Sequence, residues 1–181
     1  STYAGWEYFA EWKKINDEGE QGLVSLETAL RATCAPNRVL DLLANFVAYV
    51  EMPGGLVKAL AKNHQFLGVN NTIDAIREAK QRDGRLGVFW HTQGSGKSLS
   101  MLWFTQKVLR TMPGNWTFVM VTDRKELDHQ LYETFVDADA VTTGTNVHAE
   151  TSAHLRELLS VDHRYVFTLI HKFIPPEPDA E

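Results

Sequence analysis

The loop at residues 94–98, Gly-Ser-Gly-Lys-Ser, constrains the fold of this 181-residue chain more than any other feature of its sequence. It follows an apolar run, Leu86–Trp90, and precedes a helical pattern that extends from Lys97 to about Arg110. Glycine adopts backbone dihedral angles that other residues avoid, so the loop permits a sharp turn between a strand and a helix. A strand, a glycine loop and a helix in this order are typical of parallel α/β folds. The loop therefore predicts an α/β fold.

The sequence after residue 84 alternates between short apolar runs and helical patterns. The apolar runs predict buried strands at residues 85–90, 116–122 and 165–170, with a shorter candidate strand at 140–142. The helical patterns lie at residues 97–110, 124–135 and 151–159. This alternation predicts a parallel sheet flanked by helices. About four strands are fewer than a complete nucleotide-hydrolysing domain of this type has, so an incomplete sheet is expected.

The sequence before residue 84 has the spacing of helices. Trp6, Phe9, Ala10 and Lys13 fall at helical spacing, and further helices are predicted at residues 26–33, 39–50 and 71–82. The second of these begins after Pro36 and Asn37 and is expected to end at residues 52–55, Met-Pro-Gly-Gly. Asp83 and Gly84 are predicted to end the third.

Composition narrows the class of protein. The hydrophobic fraction is 44% and the charged fraction is 23%, as in ordinary globular domains with a buried core. A net charge of −5 excludes a strongly basic protein that coats DNA, although it does not exclude a local basic stripe. The single cysteine, Cys34, excludes an internal disulfide and fits a reducing, cytoplasmic compartment. No apolar run approaches the ~20 residues that a membrane-spanning helix needs, so no membrane association is expected.

The residues of the loop have the chemistry of a phosphate-binding loop, or Walker A motif. Gly94 and Gly96 allow the backbone to approach an anion closely, and the first amides of the following helix add a favourable dipole. Lys97 supplies a positive charge for the terminal phosphates, and Ser98 supplies a hydroxyl that can ligate Mg²⁺. ATP with Mg²⁺ is therefore the predicted cofactor, bound by a segment that consists of Thr92, Gln93, Gly94, Ser95, Gly96, Lys97 and Ser98. A glycine-rich turn that binds no nucleotide is the alternative.

One residue of the loop departs from the motif. The full consensus has a glycine five residues before the last one, and this chain has His91 there. Proteins of the helicase-like branch tolerate other residues at this position, so the prediction of a nucleotide site is retained.

Three residues outside the loop are further candidates. The amide of Gln65 both donates and accepts hydrogen bonds and could read the edge of adenine, or His64 and Gln65 could be a solvated surface pair. Thr122 and Arg124 follow a predicted strand, and ligands gather at the carboxyl ends of parallel strands. Arg124 could thus contact a phosphate of nucleotide or DNA. The alternative is that Asp123 caps the next helix while Arg124 is a solvated charge.

Taken together, these residues resemble the R (motor) subunit of Type I restriction enzymes. The most specific part of the resemblance is Gly-Val-Phe-Trp-His-Thr-Gln-Gly-Ser-Gly-Lys-Ser at residues 87–98, in which His-Thr-Gln precedes the glycines. The region from Leu40 to Val50 is similar to the connector between nuclease and motor in such subunits. Further segments resemble the family in the same order, namely His64-Gln65, residues 121–124 with Leu127-Asp128 and Gln130-Leu131, and residues 167–173.

The resemblance implies a subunit whose two RecA-like motor domains pump double-stranded DNA with ATP and whose separate nuclease domain cuts it. Such subunits work with methyltransferase and specificity subunits. By the same resemblance, residues 1–63 would form a helical connector, and residues 64–181 would form the truncated N-terminal part of the first RecA-like domain, an incomplete parallel sheet flanked by helices. Lys97 and Ser98 would hold phosphate and magnesium, Gln65 would face adenine, and Thr122 and Arg124 would lie near the DNA.

Departures from the family limit the activity expected of this chain, which starts with serine and is expected to be a piece of something longer. The Asp-Glu-Ala-His motif expected after Phe173 is absent before Glu181, and the nuclease centre would lie before Ser1. The arginines of the second motor domain are missing too. Because hydrolysis needs an acidic residue that holds magnesium, no catalytic residue is expected within this chain. It would bind nucleotide, whereas the whole subunit would be an ATP-dependent deoxyribonuclease.

Three other interpretations stay open. The chain could come from another superfamily-2 helicase or remodeller, which downstream motifs would reveal. It could be a small phosphotransferase or nucleotide kinase, although no lid is recognisable within this length. It could also be a regulatory or interaction fragment with an inactive loop, which a titration with labelled ATP would decide.

Overall fold

The computed structural model describes residues 10–174, which form a mixed α/β structure. The described residues divide into two compact units. The first unit consists of residues 10–49 and 57–111, and the second consists of residues 50–56 and 112–174. The helical spacing of Trp6 and Phe9 falls outside the described residues, and residues 10–14 are not helical.

The first unit begins with two helices, α1 (Leu26–Cys34) and α2 (Pro36–Asn45). Ser25 precedes α1, and its hydroxyl accepts a hydrogen bond of 3.0 Å from the backbone N–H of Thr28, which satisfies one of the free amides of the first turn. Pro36 occupies the first turn of α2, where its missing N–H costs nothing. The helix predicted at residues 26–33 is confirmed.

The helix predicted at residues 39–50 is wrong in its second half. It ends at Asn45, and the chain continues as β1 (Val47–Met52), which pairs with β2 (Gly55–Leu60). Pro53 and Gly54 form the two-residue connection, a length that suits a hairpin. Valine is β-branched and favours a strand wherever a partner strand is available. The region before residue 63 is therefore not helical throughout.

The next helix, α3 (Asn63–Arg77), begins earlier than the pattern at residues 71–82 predicts. Its start is fixed by Gln65, whose side-chain oxygen accepts a hydrogen bond of 2.9 Å from the backbone N–H of Lys62. A short 3₁₀ turn at Ala79–Arg82 follows. Asp83 and Gly84 then adopt left-handed conformations and end the helical region, as predicted.

The core of the first unit holds the helix that follows the phosphate loop, α4 (Lys97–Thr111). Leu102, Trp103 and Val108 of α4 are buried. The ring of Phe46 lies 6.4 Å from the ring of Trp103 and 4.8 Å from the ring of Phe66 on α3, within the range of favourable aromatic contacts. The prediction of a helix at residues 97–110 is confirmed, and α4 rests on α3 through this core.

The strand predicted at residues 85–90 is not formed. No strand of the described residues pairs with this segment, and Val88 and Trp90 are 88% and 86% exposed. Leu86 and Phe89 are half-buried, and the ring of Phe89 occupies the space that a side chain on Gly68 of α3 would need. Apolar residues alone do not make a strand, since the backbone N–H and C=O groups of a strand need a neighbouring strand.

The second unit contains a parallel pair of strands, β3 (Phe118–Thr122) and β4 (Tyr165–Leu169), in which Phe118 pairs with Tyr165 and Thr122 with Leu169. Helices α5 (Lys125–Asp137) and α6 (Ser152–Ser160) pack with these strands. The strands predicted at 116–122 and 165–170 and the helices at 124–135 and 151–159 are thus confirmed. Residues 140–142 form no strand, and instead an isolated bridge joins His148 to Phe167.

The predicted fold class is confirmed at the level of a mixed α/β structure with parallel strands. A RecA-like sheet that carries the phosphate loop stays a prediction, because the described strands form two separate two-stranded sheets and the loop follows neither of them. Within residues 10–174, no helix is long and apolar enough to cross a membrane.

Candidate nucleotide site

The phosphate loop owes its shape to two glycines. Gly94 has a φ of 77° and Gly96 a φ of 84°, a left-handed region that other residues enter only with strain. The backbone N–H of Ser95 donates a 3.3 Å hydrogen bond to the carbonyl of Thr92, which closes the turn. Helix α4 starts at Lys97, so the free amides of its first turn adjoin the loop.

Lys97 lies across the loop. Its Nζ donates hydrogen bonds to the carbonyl oxygens of His91, at 3.0 Å, and Thr92, at 2.9 Å. The side chain is exposed, and within the described part of the chain it forms no ion pair with a carboxylate. A phosphate would be a stronger acceptor than either carbonyl, because hydrogen bonds between charged groups are roughly twice as strong as neutral ones. Lys97 can therefore transfer from its carbonyls to an anion.

Gln65 supports the loop from α3. Its side chain is 2% exposed, so the alternative of a solvated surface residue is wrong. Its Nε2 donates to the carbonyl of Gly96 at 3.0 Å and to that of Ser95 at 3.3 Å, while its Oε1 accepts from Lys62. A side chain at position 96 would lie 2.7 Å from Gln65 Nε2, so only glycine fits there. The predicted contact of Gln65 with adenine stays a prediction.

Two histidines lie beside the loop. The Nε2–H of His64 donates to the carbonyl of Ser95 at 3.2 Å, and the rings of His64 and His91 are perpendicular at a centroid distance of 4.6 Å. Burial lowers the pKa of His64 below its ordinary 6.5, and it outweighs the raising effect of the Ser95 carbonyl. Burial thus favours the neutral form of His64.

A carboxylate from far along the chain reaches the loop. Glu18 Oε1 lies 2.7 Å from His91 Nε2, and 73 residues separate the two in sequence. The sequence gives no signal for Glu18, which lies outside any motif. The signal in the sequence that could have pointed to this contact is His91, which replaces the glycine of the loop consensus.

The loop residues fit the phosphates of ATP and a magnesium ion. The hydroxyl of Ser95 is buried and has no hydrogen-bond partner among the described residues, which is unusual for a buried polar atom. Thr92, Gln93 and Gly94 are exposed, and Ser98 lies half-buried in the first turn of α4 beside Lys97. The structure thus gathers every predicted residue of the phosphate site, with Gln65, around one loop. These residues offer backbone amides, an ammonium group and hydroxyls, the donors that phosphate and Mg²⁺ need.

The two candidates for DNA contact lie in the second unit. Thr122 ends β3, and its hydroxyl donates a 3.1 Å hydrogen bond to Oδ1 of the buried Asp128. The other oxygen of Asp128 lies 2.6 Å from His148 Nε2, an ion-pair distance, although the angle is not that of a hydrogen bond. Asp128 thus holds Thr122, and His148 lies against Asp128. Sequence analysis included Asp128 only in a segment that resembles the family and assigned no role to it or to His148.

Arg124 is exposed at the start of α5. Its Nε lies 3.5 Å from Oδ2 of Asp123, whose carboxylate does not cap the helix, so the alternative of an Asp123 cap is wrong. An exposed pair of this kind contributes little to stability. The contact of Thr122 and Arg124 with DNA stays a prediction.

Comparison with known proteins gives one family and two similar relatives. Residues 64–181 match the SWI2/SNF2 ATPase family. The chain is 34% identical, over 99% of its length, to the Type I restriction enzyme HindI endonuclease subunit of Haemophilus influenzae. It is 26% identical, over 96% of its length, to the putative Type I restriction enzyme MjaIXP endonuclease subunit of Methanocaldococcus jannaschii. The chain spans 18% of the length of each of these curated relatives. The resemblance to the R subunit of Type I restriction enzymes is confirmed, since both relatives are named as endonuclease subunits of such enzymes.

Proposed function

Since this chain belongs to the SWI2/SNF2 ATPase family, we propose that it is the ATP-binding part of a Type I restriction endonuclease subunit. The observation that carries the proposal is the loop at residues 94–98, shaped by left-handed glycines and crossed by an exposed lysine whose hydrogen bonds to the described residues are all to carbonyls. The family match and the similarity to two restriction subunits support the choice of nucleotide and of enzyme class.

In this proposal each loop residue has a stated role. The backbone of Gly94, Ser95 and Gly96 surrounds the phosphates, Lys97 binds their terminal oxygens, and Ser98 provides a ligand for Mg²⁺. Thr92 and Gln93 form the rim of the loop, and Gln65 holds its backbone from below. Hydrolysis of bound ATP would supply the free energy for the subunit's work. The residues of this chain would bind the nucleotide and orient it.

The proposed organisation has a connector before residue 64 and a motor domain from residue 64 onward. The start of the family match at His64 supports that boundary. The subunit would couple ATP hydrolysis to translocation and cleavage of double-stranded DNA, in a complex with methyltransferase and specificity subunits. Thr122 and Arg124 would lie along the DNA, as expected for polar residues that follow a parallel strand.

The test is a titration of the chain with Mg²⁺ and a fluorescent, non-hydrolysable ATP analogue. We expect wild type to bind and Lys97→Ala to bind about 30-fold to 100-fold more weakly, because the variant loses charge-assisted hydrogen bonds to phosphate. The matched control is Lys80→Ala, which removes another exposed lysine, outside the loop, and should bind like wild type. Equal binding by Lys97→Ala and wild type would refute the assignment.

In the longer subunit, Lys97→Ala should abolish ATP-driven translocation and restriction while assembly with the partner subunits survives. This separation is expected because Lys97 is an exposed residue of the loop and not of the core. Triplex displacement measures translocation, and size-exclusion chromatography measures assembly. Unchanged ATPase activity in the variant would contradict the proposal.

A second candidate is a DNA translocase of the SWI2/SNF2 kind without a nuclease, which the family match alone would also support. The similarity to two subunits named as endonucleases favours the restriction enzyme. Cleavage of circular DNA by the intact subunit in the presence of its partners would distinguish the two.

A further inference from the structure

Position 91 of the loop does not need the glycine that the consensus places there. His91 is not among the residues with positive φ, so its backbone conformation is open to any residue. The histidine side chain must therefore be explained by what it contacts. It is 9% exposed and makes an edge contact with Phe89 at a centroid distance of 4.3 Å, and it also meets His64 and Glu18.

His91 is connected to Lys97 through its own backbone. The carbonyl of His91 is one of the two acceptors that hold Lys97 Nζ, and the imidazole of the same residue is held by Glu18. The side-chain contact thus fixes the backbone group from which Lys97 must depart when it binds phosphate. His64 adds a second point of support at the carbonyl of Ser95.

The segment that carries Glu18 is itself fixed to the first unit. Asn63, the first residue of α3, accepts hydrogen bonds from the backbone N–H groups of Lys13, at 3.1 Å, and Lys14, at 3.0 Å. Its Nδ2 donates to the carbonyl of Lys14 at 2.9 Å. The segment closes on itself, because the N–H of Leu23 donates to the carbonyl of Lys13 and the carboxylate of Glu20 accepts from the N–H groups of residues 15 and 16.

We propose that Glu18 and His91 form a latch that couples segment 13–23 to the phosphate loop, so that nucleotide binding and the order of this segment depend on each other. The inference rests on the proposed function, because it concerns the same loop. In this proposal Glu18 and His91 are positioning residues, which act on Lys97 and on the loop backbone rather than on ATP.

The latch has a defined physical consequence for affinity. A loop that is already held in its bound shape loses less conformational freedom when ligand binds, so contacts that hold the loop raise affinity without contacting the ligand. By reciprocity, bound nucleotide must stabilise the contacts that hold the loop. Removal of the Glu18 carboxylate should therefore weaken nucleotide binding. It should also make the order of segment 13–23 independent of bound nucleotide.

The first measurement is the affinity of the chain for the Mg²⁺-bound ATP analogue. We expect Glu18→Ala to bind about 3-fold to 10-fold more weakly than wild type, the range for one lost hydrogen bond. Glu18→Gln retains an oxygen that can accept from His91 and should bind within about twofold of wild type. Glu27→Ala, which removes an exposed carboxylate of α1, is the matched control and should not change the affinity.

The second measurement is hydrogen–deuterium exchange of segment 13–23 with and without the analogue, a reading that a merely structural role of Glu18 would not produce. We expect the analogue to slow exchange of this segment in wild type and Glu18→Gln but not in Glu18→Ala. Thermal unfolding followed by circular dichroism checks that each variant is folded.

The outcomes separate the latch from the nucleotide site itself. Wild type that binds the analogue, with unchanged exchange in segment 13–23 and full affinity in Glu18→Ala, would overturn the latch and leave the proposed function intact. Equal losses of affinity in Glu18→Gln and Glu18→Ala would also overturn it, because the hydrogen bond would not be the cause. Wild type that fails to bind the analogue would overturn both.

Discussion

Helix α4 carries a lysine near each end, and the two differ in every respect that decides their roles. At the start of the helix, Lys97 is exposed and, within residues 10–174, donates to no groups other than the carbonyls of His91 and Thr92. Near its end, Lys107 is buried, and its Nζ lies 2.6 Å from both carboxylate oxygens of Asp41 on α2 and from Oδ1 of Asn70 on α3. Both lysines belong to the first unit.

The difference shows how one helix can combine a ligand site with a structural anchor. Lys107 is held by a full negative charge and lies 4.9 Å from the centre of the Phe46 ring, so no ligand can draw it away cheaply. Lys97 is held by neutral acceptors at the surface, and an anion can replace them. The anchored end fixes α4 on α2 and α3, which gives the phosphate loop a rigid base.

Of the substitutions that test this comparison, Lys107→Met is expected to reduce the free energy of unfolding most. The substitution leaves the Asp41 carboxylate, which is 23% exposed, without its cation. We expect a loss of about 2–3 kcal/mol in the free energy of unfolding, below the usual cost of breaking a fully buried pair because Asp41 is partly solvated. Urea unfolding followed by circular dichroism measures the loss, and nucleotide affinity of the folded fraction should be retained.

The double variant Asp41→Asn/Lys107→Met is the control, because it also removes the charge that Lys107→Met strands. It should be more stable than the single variant Lys107→Met. A single variant as stable as wild type would show that the buried lysine is not an anchor, and the contrast between the two ends of α4 would fail.

The next prediction compares the loss of stability that alanine causes at each of the two loop glycines. Gly94→Ala introduces only backbone strain, because no atom of residues 10–174 lies within 4 Å of the added group, and should cost about 1 kcal/mol. Gly96→Ala adds a contact of 2.7 Å with the buried Gln65 amide and should cost about 2–3 kcal/mol. Urea unfolding of both variants tests the order, and equal costs would mean that Gln65 does not hold the loop.

The smallest predicted effect is the pH dependence of stability that arises from His64, beside the loop. The pKa of His64 in the folded chain is lowered from 6.5, so the unfolded chain takes up a proton at this residue at higher pH than the folded chain does. The free energy of unfolding should therefore fall as the pH decreases below about 6.5, toward the lower pKa of the folded state. The groups near His64 are His91, Lys62 and Glu18.

Nuclear magnetic resonance titration of the His64 ring should give a midpoint below 6.5. His64→Gln should show a shallower loss of stability between pH 7.5 and 5.5 than wild type, and it serves as the reference that removes the contribution of the other histidines. A midpoint above 6.5 would contradict the burial of His64 against the loop.

Sequence predicted those parts of the fold whose signals are local. Helices α4, α5 and α6 follow from apolar spacing and from caps such as Thr151, whose hydroxyl accepts from the N–H of His154. The segment at 85–90 and the strand β1 were mispredicted because a strand depends on a partner that spacing along one segment does not contain. Val47 and Val50 continue a helical stripe, yet β2 across the Pro53-Gly54 turn pairs with them as a strand.

The candidate site shows the same limit at the level of side chains. The loop at residues 94–98 was recognisable because its chemistry is contained in consecutive residues. The side chains that support the loop were not recognisable, because they are distant in sequence. Glu18 contacts His91 across 73 residues, and Gln65 contacts Gly96 across 31. The burial of Lys107 could not be predicted either, because the sequence around a lysine on an amphipathic helix does not show that it pairs with Asp41 on another helix.

The central claim, that the loop binds nucleotide phosphate through Lys97, is tested most directly by the free energy of unfolding with and without the Mg²⁺-bound ATP analogue. A ligand that binds only the folded chain, present at 100 times its dissociation constant, adds about 2.7 kcal/mol to stability. We expect this gain for wild type and a gain of only about 0.4–0.9 kcal/mol for Lys97→Ala at the same ligand concentration, as its 30-fold to 100-fold weaker binding implies. Both chains should be equally stable without ligand because Lys97 is exposed. An equal gain in the two chains, or no gain in wild type, would contradict it.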